Sequence, residues 1–355
     1  MNVLGIETSC DECAAAVVED GRKVLSNVVA TQIPFHAAWN GVVPEIASRK
    51  HTEWIQAVVR EALEKAGTGP GGIDAVAATA RPGLLGSLLV GLNFAKAFAW
   101  ARDLPFVAVD HILAHLYASR LDAAGTSAGT APLPDYPFLG LLVSGGHSII
   151  CRVEDFNDIA VLGTTIDDAA GEAFDKVSKH YGFGYPGGGV IDKLAASGNP
   201  NAFAFPLPHL WKGNPPGAVH RCDVSYSGLK TAVINQLEQF RLSPRQEDRD
   251  AENANIAASF QRTAVDILLR ALFNALEDTG LRTVVAGGGV AANSLLRLRL
   301  AERKDIRSIF PPLELCGDNG AMVAGIAYRY LQKGESSPLT VTASARVQGF
   351  KRRYP

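Results

Sequence analysis

VLGIETSCDECAAAVVE (residues 3–19) decides the fold, because a second stretch, FLGLLVSGGHSIICRV (138–153), repeats its plan. In each, an apolar run meets a tight turn of small and polar residues, and another apolar run follows. Runs of this length bounded by turn residues read as paired β-strands. A third strand is predicted in both places, at 24–29 after the Gly21-Arg22 turn and around 159–163.

Outward from these strands the two halves keep the same order. Residues 31–48, punctuated by Pro and Gly, read as loop. Helical periodicity over 50–66 stops at Gly67, a natural residue after a helix end. A strand at 73–79, an apolar helix from Arg81-Pro82-Gly83 to about 102, and a strand at 106–109 complete the first half. Residues 121–135 are small and polar and read as a surface loop without chemistry. In the second half a helix over 168–181 precedes a Gly-rich loop, GYPGGG (184–189), and 200–228 have no regular pattern. A helix at 229–240, a polar break at 241–252 and a long amphipathic helix at 253–279 follow. Then come a strand at 283–286, Gly287–Gly289, a helix at 290–303, and a last helix from near Asp318 to about 333. Each half thus reads as three antiparallel strands, helix, strand, helix. That order predicts an α/β class with buried sheets covered by helices on both faces. We expect a duplicated, two-lobed molecule with an interlobe cleft, the usual place for a ligand. The expected lobes are 1–110 with 319–355, and 111–318, with substrate and metal sites at the cleft.

Composition narrows the class. The chain has 355 residues, enough for two domains, is 47% hydrophobic and 20% charged, and carries a formal net charge of −2. Bulk charge therefore argues neither for nor against nucleic acid, and any basic surface is local. Five scattered Cys residues read as reduced thiols of an intracellular protein, which predicts a cytoplasmic location. The beginning MNVLGIETSCDE has no basic region and does not read as a signal peptide. The most apolar run, near 83–101, contains several Gly, an Asn and a Lys and reads as a buried helix, so no membrane association is expected.

The chemistry-bearing residues begin with His111 and His115 in HILAHLYA. Spacing i, i+4 on a helix puts both imidazoles on one face, a two-point clamp for a borderline metal. A third ligand has to come from elsewhere, and Asp318 in CGDNGAMVAG stands at a predicted helix start. Three tight turns follow apolar strands: ETSCDE (7–12), SGGH (144–147) and GGGVAAN (287–293). Small residues there let backbone N–H groups approach an anion, and the third turn also opens a helix. None of them matches GxxxxGK[ST] or a dinucleotide GxGxxG with its acid, which sets aside the P-loop and Rossmann readings. Cys10 and Cys13 lie in a β-turn between strands, so a redox pair is not expected. His36, His51, His180, His209 and His220 have no partner spacing and read as surface or loop residues, and Asp175 reads as the partner of Lys179 on a solvated helix face. Basic residues gather at Arg297, Arg299, Arg303, Lys304, Arg307 and at Lys351, Arg352, Arg353; such runs are usually solvated faces, and an enzyme acting on nucleic acid would use them as phosphate contacts.

ETSCDE (7–12), HILAH (111–115), LLVSGGH (141–147), DDAAGEAFDKV (167–177), YPGGG (185–189), SYSGLKTAV (225–233), VAGGGVAAN (285–293) and DNGAMVA (318–324) occur in this order. Together they resemble the TsaD family of tRNA N6-adenosine threonylcarbamoyltransferases, once called O-sialoglycoprotein endopeptidases, and most of all its bacterial branch. The resemblance covers nearly the whole chain and implies the actin/Hsp70/sugar-kinase fold, in agreement with the duplicated strand order. It implies one divalent metal, iron(II) or zinc, on His111, His115 and Asp318. It implies substrate contacts at Leu142, Val143, Ser144, Gly145, Gly146, Asp175, Gly188, Asp192 and Asn293. The implied reaction carries the threonylcarbamoyl group of L-threonylcarbamoyl-adenylate to N6 of the adenosine 3′ of the anticodon in ANN-decoding tRNAs, with release of AMP. Asp11 and Glu12 are candidate bases, or they serve the phosphate turn through a cation or water. The implied partners are tRNA, the adenylate or another adenine nucleotide, a TsaB-like paralogue and a TsaE-like ATPase, with an apolar helix face within 50–66 a candidate interface. Two other classes compete. A metalloprotease, which the older name suggests, lacks the Glu of HExxH and so a positioned general base. A non-catalytic nucleotide-binding scaffold would bind nucleotide and never modify tRNA.

Overall fold

The computed structural model describes residues 1–39, 41–122, 134–211, 215, 216, 218, 220–240, 246–346 and 351–352. Most of the 121–135 loop, the beginning of the 241–252 break and Arg353 lie outside the described residues. In chain order the first elements are strands β1 (Asn2–Glu7), β2 (Glu12–Glu19) and β3 (Lys23–Thr31), and helices α1 (Ile33–His36) and α2 (Pro44–Lys65). Strand β4 (Ala75–Arg81), helix α3 (Leu85–Ala101), strand β5 (Phe106–Asp110) and helix α4 (His111–Tyr117) follow. The second series opens with β6 (Phe138–Val143), β7 (Ser148–Asp155), β8 (Asp158–Thr164), α5 (Ala170–Tyr181) and α6 (Gly187–Ala195). It continues with α7 (Ser227–Phe240), α8 (Gln246–Thr279), β9 (Thr283–Gly287), α9 (Ser294–Ala301) and β10 (Arg307–Ile309). Helix α10 (Gly320–Gln332) and the two-residue strand β11 (Lys351–Arg352) complete the set.

The chain divides into two compact units, 1–135 with 310–350, and 136–309 with 351–355. The first sheet has the order β3-β2-β1-β4-β5 and the second β10-β9-β6-β7-β8-β11. In both, the first three strands are antiparallel and the next two join in parallel. The expected duplication is therefore present, strand for strand. The expected boundaries at 110/111 and 318/319 fall inside the first unit. Helix α4 follows β5 without a break, with Asp110 accepting from the Ile112 N–H at 2.9 Å as its N-cap. Helix α10 packs closely on it: a Cβ on Gly325 would stand 2.9 Å from the Tyr117 ring.

Strand β1 shows how the first unit is layered. Alternate residues point to opposite faces. Leu4 and Ile6 join Val17, Ile55, Val59 and Leu92 in one core beneath α2 and α3. Gly5 faces α10, where a Cβ would meet the Gly320 carbonyl oxygen at 2.3 Å. Glycine here lets a helix lie directly on the strand. The apolar face of α2, proposed above as a docking surface, is used up in this core, where Val58, Ala62 and Leu63 are buried. Among the described residues no helix is long and apolar enough to cross a membrane.

Several local expectations change. The 31–48 segment is not all loop: it holds α1 and the start of α2, which opens at Pro44, a residue suited to a first helical turn. His36 and His51 are fully buried rather than exposed, because Gln32 bridges them at 3.3 and 3.4 Å and the Cys10 carbonyl lies 2.9 Å from His51 Nε2. Burial first holds His51 below its ordinary pKa. Of the glycines in 184–189, the last three form the first turn of α6. Helix α8 starts at 246 rather than 253, its polar beginning being helical as well.

Candidate functional site

In the first unit, two helix starts bring the metal-ligand candidates together. Asp110 caps α4 and so starts the helix at His111. Asn319 caps α10 by accepting from the Met322 N–H at 2.9 Å, which leaves Asp318 just outside the helix. Close packing of α10 on β1 and β2 then fixes Asp318, since a Cβ on Gly320 would meet the Ala15 carbonyl carbon at 2.6 Å. Asp318 Oδ1 lies 3.0 Å from His115 Nε2 and 3.5 Å from His111 Nε2. The three candidate donor atoms lie within 4.8 Å of one another. Donors held about 2.1 Å from one ion stand about 3–3.5 Å apart, so this cluster fits a single cation.

Charge supports the same fit. Glu7 and both histidines are buried, and Asp11 nearly so. Burial pushes the Glu12 carboxyl up, and the Asp11 and Asp318 carboxylates add to it, bringing it to about 10. Burial pulls His111 down, but Asp318 and Glu7 outweigh it and raise the imidazole to about 9. Burial and the His111 charge hold His115 low. A Glu12 carboxyl pushed up by its carboxylate neighbours, close to an imidazole that Asp318 and Glu7 raise, marks a region short of positive charge. A divalent cation relieves that shortage.

Glu7 is the residue that sequence reasoning missed here. It was read only as part of a turn, yet its side chain lies 3.1 Å from His111 Nδ1. Its position immediately after an apolar strand was the available signal. Cys10 and Cys13 carry free thiols, and Cys13 is buried within β2.

In the second unit the substrate-contact candidates form a connected set. Leu142 and Val143 are fully buried side chains of β6, so only their main chains are available to a ligand. The turn after them closes with the Ser144 N–H donating to the His147 carbonyl at 2.8 Å. Helix α5 begins against this turn: the Gly171 N–H donates to the Ser144 carbonyl at 3.1 Å, and a Cβ on Gly171 would meet that oxygen at 2.7 Å. Asp175 does not face solvent beside Lys179 as expected. Its carboxylate accepts from the Gly187 N–H at 2.6 Å and ties the start of α6 to α5. Asp192 accepts from Gln261 Nε2 at 2.8 Å, Ser294 Oγ at 2.7 Å and Asn293 Nδ2 at 3.3 Å. Asn293 in turn caps α9 through the Leu296 N–H at 3.0 Å. The GGG turn joins the set at Gly288, whose φ is +89° and whose Cβ would meet the Val143 carbonyl oxygen at 2.4 Å.

The glycines fall into two kinds. Gly171, Gly187 and Gly288 are pressed against backbone, so the fold itself requires them. At Gly145, Gly146, Gly188, Gly189 and Gly289 a Cβ would meet nothing within 4 Å and φ is not positive. Among the described residues nothing requires glycine at these five positions, and they leave main chain open to close approach.

The basic residues are more engaged than expected. Arg299 pairs with Asp266 at 3.1 Å, and Arg303 pairs with Asp305 at 2.7 Å and lies over the Phe273 ring at 4.4 Å. His180, His209 and His220 are exposed, as expected, and His220 Nδ1 lies 2.5 Å from Asp223 Oδ2.

Comparison with known proteins gives a consistent result. The family model described as TsaD, tRNA N6-adenosine threonylcarbamoyltransferase, matches residues 23–325. A protein of that name from Treponema denticola is 63% identical over 353 residues, covering 99% of each chain. Another from Borreliella burgdorferi is 47% identical over 355 residues, covering 100% of this chain and 96% of that one. Among solved structures, component A of (R)-2-hydroxyglutaryl-CoA dehydratase from Acidaminococcus fermentans superposes with a TM-score of 0.54 at 15% identity, covering 94% of this chain and 99% of that one. Full-length HypF superposes with a TM-score of 0.57 at 16% identity, covering 95% of this chain and 56% of that one. These two likenesses concern the fold alone, the duplicated α/β architecture described above. The chain belongs to the TsaD family of tRNA N6-adenosine threonylcarbamoyltransferases.

Proposed function

We propose that this chain transfers the threonylcarbamoyl group of L-threonylcarbamoyl-adenylate to N6 of the adenosine 3′ of the anticodon in ANN-decoding tRNAs, with a metal centre on its first unit. The observation that carries the reading is the buried cluster of His111, His115 and Asp318. Two imidazoles and one carboxylate hold an ion while leaving positions open, an arrangement suited to iron(II) and also used by zinc. We take iron(II) as the resident ion and zinc as the alternative. When bound, the ion supplies Lewis-acid polarisation of a carbonyl or phosphate oxygen.

The chain's own residues do the remaining work. The N6 amine forms a C–N bond to the carbamoyl carbon, the bond from that carbon to the adenylate oxygen breaks, and AMP leaves with the electron pair. The amine is a weak nucleophile, so positioning and charge stabilisation dominate. Backbone amides at 144–146 and 287–289, open to approach at Gly145, Gly146 and Gly289, are assigned to the adenylate phosphate and the developing oxyanion. The α6 start at Gly188, held by Asp175, and the Asp192–Asn293 pair are assigned to the nucleoside. The proton released from N6 goes to Asp11 or Glu12. A Glu12 carboxyl at about 10 keeps its own proton at neutral pH, which favours Asp11. A TsaB-like paralogue, a TsaE-like ATPase and tRNA phosphates near Lys304 and Arg307 are the proposed partners, in the cytoplasm.

The test removes the metal with a chelator and adds back iron(II) or zinc. The protein then meets its partners, the adenylate and unmodified tRNA, and nucleosides are read by mass spectrometry. Recovery with iron alone supports the assignment. Recovery with zinc alone overturns the choice of ion, and full activity after complete stripping overturns the metal's role.

A further inference from the structure

We propose that Glu7 is the positioning residue of the metal centre: its carboxylate holds the ring proton of His111 on Nδ1 and so presents the Nε2 lone pair toward His115 and Asp318. The inference rests on the metal-site reading above and deepens it. Glu7 ends β1 and is fully buried. Its Oε1 accepts from the Ser9 N–H at 2.5 Å, and its Oε2 accepts from Thr79 Oγ1 at 2.5 Å. The same Oε2 lies 3.1 Å from His111 Nδ1. An ionised carboxylate can only accept, so the imidazole nitrogen facing it has to carry hydrogen. The other nitrogen is then the one free to ligate, and it is Nε2 that faces Asp318. Ser9 Oγ, 3.2 Å from the same Nδ1, is a hydroxyl that can donate or accept and does not choose the tautomer. Among the described residues His115 has no such support: its Nδ1 is buried without a hydrogen-bond partner there. The two histidines are unequal, and the centre is organised from His111.

Replacement by glutamine separates this role from packing. The amide has one accepting and one donating end. The Ser9 N–H can only donate, so it takes the oxygen. The amide nitrogen then faces Thr79 and His111. The Thr79 hydroxyl can turn to accept, but His111 has to offer Nδ1 as an acceptor and move its proton to Nε2. That tautomer cannot ligate through Nε2.

Zinc affinity, measured by competition with a chromophoric chelator, tests this with wild type, Glu7→Gln, Thr8→Val and His111→Ala. Thr8→Val removes the neighbouring buried hydroxyl that donates to the Ser87 carbonyl, and so controls for loosening of the same strand end. Glu7→Gln should bind zinc about 10- to 100-fold more weakly, and Thr8→Val within about threefold of wild type. Glu7→Gln within about threefold of wild type, or an equal loss in both variants, overturns the proposal. Wild type binding no better than His111→Ala overturns the metal-site reading, and the role of Glu7 falls with it. If Glu7→Gln does not fold, nitrogen-proton correlation NMR of zinc-loaded wild type decides: a slowly exchanging His111 proton on Nδ1 supports the proposal, and one on Nε2 overturns it.

Discussion

Gly288 and Gly289 are neighbours in one GGG turn, and the structure assigns them opposite consequences. At Gly288 an added methyl meets the Val143 carbonyl oxygen at 2.4 Å and its carbon at 2.8 Å, and φ is +89°. With ψ at 162° this backbone region is almost confined to glycine and costs an L-residue about 1–3 kcal/mol. Forcing a methyl into backbone that cannot turn aside adds about 1–3 kcal/mol. Together the loss is roughly 2–6 kcal/mol, which for a unit of this size lowers the midpoint by roughly 4–24 °C. At Gly289 the same methyl meets nothing within 4 Å. Gly289→Ala should therefore melt close to wild type while weakening adenylate binding. Thermal unfolding followed by circular dichroism, with binding of a non-hydrolysable adenylate analogue by calorimetry, reads both effects. A Gly288→Ala midpoint within about 2 °C of wild type, or an equal fall in Gly289→Ala, would refute the division of these glycines into fold-required and ligand-facing.

Other outcomes follow from the same geometry. Gly188→Ala places a better helix former in the first turn of α6, worth about 0.5–1 kcal/mol, so stability should hold or rise. Its KM for the adenylate should nevertheless rise roughly ten- to hundredfold, and an unchanged KM would remove Gly188 from the nucleoside contacts. Asp168 lies 2.6 Å from Lys176 Nζ and 2.5 Å from Lys230 Nζ. Burial pushes its carboxyl up, but hydrogen bonds from the two ammonium groups outweigh it and hold the group below its ordinary 3.8. The folded state thus binds this proton less tightly than the unfolded state. The stabilisation is complete above the unfolded value and is lost as pH falls through the lower folded one. Urea midpoints should separate wild type from Asp168→Asn at neutral pH and converge as pH falls through the lowered folded value, and a gap unchanged from neutral to strongly acidic pH would contradict this origin.

Where the sequence was legible, periodicity and local chemistry agreed. The repeated apolar strands flanking ETSCDE and SGGH carried the duplicated sheet order, because burial on both faces demands continuous apolar runs. His111 and His115 were legible because helical spacing alone puts them on one face. What escaped depends on contacts between residues far apart in sequence. His36 and His51 look unpartnered along the chain, and only Gln32 and the Cys10 carbonyl make their burial tolerable. Gly187–Gly189 read as loop by propensity, yet Asp175 supplies an acceptor for the Gly187 N–H and the helix starts there. Glu7 hid at a strand end because its partners, Thr79 and His111, lie 72 and 104 residues away. The expected boundaries at 110/111 and 318/319 cut through one unit because α10 packs on α4, a contact between residues far apart in sequence.

The central claim joins the buried His111, His115 and Asp318 cluster to threonylcarbamoyl transfer. The most direct test reconstitutes the protein with its two partner proteins, L-threonylcarbamoyl-adenylate and unmodified ANN-decoding tRNA. Wild type runs beside His111→Ala and Asp318→Ala, and the tRNA nucleosides are analysed by mass spectrometry. The account predicts N6-threonylcarbamoyladenosine from wild type and its loss in both folded variants. Equal product from all three proteins would contradict it.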